Sequence, residues 1–139
     1  MHGHEEWLRI AKEDLAVAKA LLKLDFFGTV TYHCQQSAEK ALKGYLAFKN
    51  HAILKTHDLI KLNKLCFEFD RSFEKISVNA EQLNPFATKF RYPSEFDIPD
   101  VTDAQLTIKH AEDIMHFVLQ KVSKSDTGQT DIFADPDKK

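Results

Sequence analysis

The chain is poor in residues that interrupt a helix. It holds 4 Gly and 4 Pro among 139 residues and no long run of β-branched residues, which argues against strands and for an all-helical chain. Two cysteines, Cys34 and Cys66, are too few for a disulfide framework. Both lie in apolar helical patterns and read as buried small hydrophobes. No apolar run approaches the roughly 18 residues that span a bilayer, so no membrane association is expected. The polar, acidic N-terminus does not resemble a signal peptide, which makes the cytoplasm the expected compartment. Neither sign of charge dominates: 19 Lys and Arg stand against 21 Asp and Glu, a net of −2 with 7 His neutral. That balance excludes coating of nucleic acid through bulk charge.

The familiar catalytic signatures are missing too. With glycine only at Gly3, Gly28, Gly44 and Gly128, no phosphate loop of the GxxxxGKS or GxGxxG kind can be written. His110 and His116 are six apart, off one another's helix face, so no His-x-x-x-His zinc pair exists. No Ser or Cys stands in a nucleophile elbow. No metal, no cofactor and no catalytic residue is therefore expected.

What is present is amphipathic. A hydrophobic content of 43% in a chain of this length supports one domain with a core. The spacing predicts a first helix over about Glu5 to Leu24, with Trp7, Ala11, Leu15, Ala18 and Leu22 facing inward. Asp14 falls on that face and reads as the edge of the stripe or as a partner for a buried cation. Gly28 is the expected left-handed stop before the next helix, which Thr29 or Thr31 would cap. The second helix, to about Lys49, carries two faces. Cys34, Ala38, Ala41, Leu42 and Tyr45 form an apolar stripe; His33, Gln36, Lys40 and Lys43 form a polar one. Ser37, Ala38, Ala41 and Gly44 are small enough to let neighbouring helices come close.

A third helix follows Thr56-His57-Asp58, capped by Thr56 or Asp58, and ends near Phe69. Phe73 and Ile76 anchor an irregular link. A fourth helix is expected from Asn79 to about Phe90, kinked or shifted by Pro85, and closed by Arg91-Tyr92-Pro93. Thr102 should cap a fifth helix from Asp103 to about Ser123. The fold class is thus all-α, an up-and-down antiparallel bundle of four to five helices over residues 1–123. Residues 124–139 read as a polar, flexible tail.

One composite site suggests itself. Gln36, Lys40 and Lys43 share a helix face, with His33 one turn earlier; Thr56-His57 starts the third helix; Arg91-Tyr92 closes the fourth. Cations beside a ring suit a phosphate ligand that carries a base. The alternatives stay open: Lys40 and Lys43 as solvated side chains, His57 as a helix cap, Arg91 as a strut to Asp14, Glu39 or Asp97. All of them could serve only the bundle and its dimer. Local charge is uneven, +4 over residues 39–64 and −5 over residues 94–113, which suggests a docking surface.

The run Tyr-His-Cys-Gln-Gln-Ser-Ala-Glu-Lys-Ala-Leu-Lys-Gly at 32–44, with Thr56-His57-Asp58-Leu59 and Phe90-Arg91-Tyr92-Pro93, resembles the HEPN domain family over about Glu5 to Val122. The resemblance implies a helical bundle, often a homodimer, that partners a minimal nucleotidyltransferase in a toxin–antitoxin or related module. It also suggests a nucleotide ligand near Gln36, Lys40, Lys43, His57, Arg91 and Tyr92. Ribonuclease members carry an Arg and a His with four to six residues between them. Here the positions after Arg91 hold Phe96, Asp97 and Ile98, and those after Arg9 and Arg71 hold no His either. The chain therefore resembles the non-nuclease branch. The alternative is a metal-independent ribonuclease with His57 as general base and RNA as its partner.

Overall fold

The structure is a computed structural model that describes residues 3–89 and 98–133, and the side chains of residues 3–87 and 98–123. Helix α1 (His4–Leu22) turns into α2 (Phe27–Phe48), and α3 (Leu59–Phe69) follows a loop. A 3-10 turn (Arg71–Ile76), α4 (Ser77–Leu83) and the single turn α5 (Phe86–Lys89) come next, then the long α6 (Val101–Phe133). Among the described residues there is no strand. The all-α bundle read from the sequence is the fold.

Helix α2 is its axis. It packs on α1, α3, α4, α5 and α6. Its apolar stripe, Cys34, Ala38, Ala41, Leu42, Tyr45 and Leu46, is buried. Against it α1 lays Leu8, Ala11, Leu15 and Ala18, and α6 lays Ala111, Ile114, Met115 and Val118. Small residues set the α1–α2 spacing. A Cβ added to Gly44 would stand 3.0 Å from Leu8 Cδ2 and 3.2 Å from Trp7 Cβ, and Ser37 Oγ donates to the Ala11 carbonyl at 2.8 Å. Leu8, rather than the expected Trp7, leads the buried face of α1. The Trp7 indole lies at the rim, its ring centroid 5.9 Å from Lys43 Nζ. Lys19 pairs with Glu112, and the start of α1 meets Leu119 and Val122, so α1 and α6 run antiparallel.

Several ends differ from the reading of the sequence. Gly28 does not supply the left-handed stop; Asp25 does, at φ 61°. Asp25 N–H reaches Leu22 O at 3.1 Å and Phe26 N–H reaches Leu21 O at 3.3 Å, which together form a Schellman ending. Asn50, at φ 60°, closes α2 the same way, with Asn50 N–H on Ala47 O and His51 N–H on Leu46 O. A short polar side chain tolerates this backbone better than most. No side chain caps α2; Thr31 Oγ1 bonds back to Gly28 O instead.

Asp58 caps α3, accepting from Ile60 N–H and Lys61 N–H. The expected fourth helix is broken at Asn84-Pro85 into α4 and α5. Asn84 uses the break: its Oδ1 takes Leu59 N–H at 2.8 Å and its Nδ2 donates to Asp58. The cap of α6 is Asp100 rather than Thr102. Asp103 N–H donates to Asp100 Oδ1 at 2.9 Å and Asp100 N–H to Asp103 Oδ2 at 3.1 Å, a reciprocal box. Helix α6 runs on past Ser123, its expected end, to Phe133. No helix among the described residues is long and apolar enough to cross a membrane.

Candidate functional site

The polar stripe of α2 lies between α1 and the segment that leads into α3, and it is held from behind by two carboxylates. The first is Asp14 of α1. It accepts from Lys40 Nζ at 2.7 Å through one oxygen and bonds His33 Nδ1 at 3.0 Å through the other. The second is Glu39 of α2. It accepts from Lys43 Nζ at 2.8 Å and bonds His57 Nδ1 at 2.9 Å. Gln36 joins the Glu39 group, its amide donating to Gln35 Oε1 at 2.8 Å and to Glu39 Oε1 at 3.3 Å. The main chain at His57 is fixed as well, because Gln35 Nε2 donates to its carbonyl at 3.0 Å.

Burial divides these side chains by role. Glu39 and Lys43 are 5% and 8% exposed, so this i,i+4 ion pair is internal. Charges so placed survive only as partners. Lys40 is 25% exposed and His57 61%, so the opposite ends of the two groups reach solvent. A carboxylate can only accept, so it is Nδ1 of each imidazole that donates in these two bonds. A carboxylate behind an imidazole fixes its tautomer and orientation, an arrangement that serves both ligation and proton transfer.

Of the six expected site residues, Gln36, Lys43 and His57 meet at Glu39, while Lys40 pairs with Asp14 in a separate group beside it. Lys43 is within the bundle rather than on its surface. Arg91 and Tyr92 lie outside the described residues. Neither Lys40 nor Lys43 is a free solvated side chain, and His57 is not the cap of α3. The sequence left Asp14 either at the edge of the stripe or paired with a cation; it pairs, as the anchor of Lys40 and His33. Sequence reasoning passed over Gln35 and considered Glu39 only as a strut partner for Arg91, since neither position has a periodic signal of its own. The available clue for Asp14 was an acid on a helix's apolar face.

Other polar features lie apart from this seam. Asn79 Nδ2 bonds His110 Nδ1 at 3.0 Å and Asp113 Oδ2 at 3.2 Å, tying α4 to α6. Burial lowers the His110 pKa, against the pull of Asp113. A shallow cleft of about 400 Å³ between α1 and α6 has Leu8, Arg9, Lys12, Leu119 and Val122 in its wall and shares no residue with the seam. Among the described residues no group of three or more His, Cys, Asp or Glu could hold a metal ion.

Comparison with known proteins gives a consistent picture. The family model of the HEPN domain matches residues 4–122. A Methanocaldococcus jannaschii protein named "Putative toxin MJ1304" is 27% identical over 126 residues, covering 81% of this chain and 83% of that protein. Two solved structures share the fold. TT1696 from Thermus thermophilus has a TM-score of 0.73 at 22% identity, over 87% of this chain and 99% of that one. ST0689, described as an archaeal HEPN homologue, has a TM-score of 0.73 at 24% identity, over 88% and 99%.

Proposed function

The chain belongs to the HEPN domain family, and from that premise we propose that it is the helical half of a toxin–antitoxin-type pair. In this reading it forms a homodimer in the cytoplasm, docks a minimal nucleotidyltransferase, and holds a nucleotide or other phosphate ligand along the α2 seam. The observation that carries the ligand part is the pair of carboxylate-anchored groups along α2. Gln36, Lys40 and His57 are fixed on or against one helix by carboxylates that stand behind them. Lys40 and His57 reach the ligand; Lys43 acts through Glu39. Arg91 and Tyr92 enter on their sequence motif alone. The relative named as a toxin supports the pairing.

Calorimetric titration of ATP and GTP into the wild type, Lys40→Ala and Arg91→Ala tests the ligand. The wild type should give saturable heat, and each variant should bind at least about tenfold more weakly, the loss of one charge-assisted contact. Absence of heat with the wild type removes the ligand from the proposal. Co-expression with a minimal nucleotidyltransferase, followed by light scattering, tests the assembly; a chain that elutes alone at monomer mass removes that part.

One observation favours a second reading. The Glu39–His57 pair, 2.9 Å apart with the imidazole side chain 61% exposed, resembles an oriented general base. A ribonuclease built on it would cleave RNA without metal and lose that activity in His57→Ala. Activity that persists in the variant clears His57.

A further inference from the structure

We propose that Asn84 is a positioning residue of the α2 seam: acting through Asp58 and Leu59, it fixes where His57 stands and so how tightly the seam holds its ligand. The inference rests on the ligand reading above and adds a residue that the ligand itself does not touch. His57 ends the loop before α3 and is exposed, yet it is held like an internal residue. Buried Glu39 accepts from its ring at 2.9 Å, and buried Gln35 donates to its carbonyl at 3.0 Å. An exposed side chain fixed at both ring and main chain is the mark of a group prepared for contact.

The two residues after His57 are fixed from another element. Asn84 Oδ1 accepts from Leu59 N–H at 2.8 Å, and Asn84 Nδ2 donates to Asp58 Oδ1 at 3.2 Å. That same oxygen takes Ile60 N–H at 3.0 Å and Lys61 N–H at 3.2 Å. Asp58 thus answers two of the first free N–H groups of α3, and Asn84 answers the one left over. Asn84 is itself mounted on a helix. Its N–H closes α4 on the Ala80 carbonyl at 3.0 Å, and α4 packs on α3 and α6. Pro85 has no N–H to carry that helix on, so Asn84 stands at its end. His57 is therefore held between α2 and the end of α4. Without the α4 anchor the Asp58–Leu59 peptide can shift and take the imidazole with it. A displacement on the order of 0.5 Å is enough to weaken a binding group whose chemistry is intact.

The test is Asn84→Ala in the full chain, read in two ways. Proton–carbon correlation spectra should show the ring signals of His57 displaced, and those of His33, whose imidazole bonds Asp14 on α1, in place. Calorimetry should show ATP bound about threefold to tenfold more weakly. That loss should persist in a Lys40→Ala background and vanish in a His57→Ala background. A residue that only capped α3 would lower the melting temperature and change neither reading. If Asn84→Ala does not fold, Asn84→Asp, which keeps the acceptor for Leu59 N–H and loses the donor to Asp58, gives the same two readings. His57 signals that stay in place, or His33 signals that move as far, overturn the proposal. So does unchanged affinity, or a loss as large without His57 as with it; in each of these cases the ligand reading stands. A wild type that binds no ATP ends both.

Discussion

Lys43 donates to Glu39 at 2.8 Å from the next turn of the same helix, and the two side chains are more deeply buried than any other ion pair described. Removing one partner strands the other. Glu39→Gln should cost about 3–5 kcal/mol, read from denaturant unfolding. Glu39→Leu/Lys43→Met removes both charges and should recover most of that loss. A Glu39→Gln protein as stable as the wild type would mean that Lys43 finds another partner or leaves the interior.

At Gly44 α2 has no side chain between it and α1. Gly44→Ala improves helix propensity by up to about 1 kcal/mol, but its methyl meets Leu8 Cγ and Trp7 Cβ, both at 3.2 Å. Overpacking costs about 1–3 kcal/mol, so the net should be a loss of about 1 kcal/mol. In the Leu8→Ala background the same change should be neutral or stabilising. Additivity between the two would show that the helices do not touch there.

The carboxyl of Asp70 has a pH signature. Burial pushes its pKa up, but bonds from the Ser72 hydroxyl, Lys121 and the Ser72 N–H outweigh it and hold it down at about 2. A depressed folded pKa means stability that is present above the unfolded value and lost as pH falls through the folded one. Asp70→Asn should cost about 1 kcal/mol at pH 7, after allowance for screening at a side chain 29% exposed. That difference should vanish between pH 4 and pH 2. A constant gap across this range would exclude the charge as its cause.

The thiols of Cys34 and Cys66 should be silent. Both are fully buried and free. Burial pushes Cys34 up to about 12 and raises Cys66 too. Only a thiolate reacts, so a disulfide reagent should modify neither in the folded protein and both in guanidinium. Rapid labelling of either thiol under native conditions would show that the bundle opens there.

The helices were legible because burial here is periodic. The stripe from Cys34 to Tyr45 lies on the core side of α2 as its spacing requires. Ends were less legible, since they depend on backbone geometry that any of several nearby polar residues can satisfy. Asp25 took the left-handed position that glycine suits better, and Asp100 capped α6 where Thr102 was in range. In the site, Lys40 and His57 were visible as residue types. Their states were not, because those depend on Asp14, which comes from α1, and on Glu39, which lies beside Gln36 and Lys43 on α2. A sequence records which side chains could meet, and only the packing of α1 on α2 decides that Asp14 faces Lys40.

Because α2 touches every other described helix, no part of the bundle can peel away without disturbing it. Its central amides should exchange with solvent only when the whole chain opens, more slowly than those of α1 or α3. The seam is mounted on this same spine. Its geometry therefore lasts as long as the molecule stays folded, and a protease that destroys one must first wait for the other.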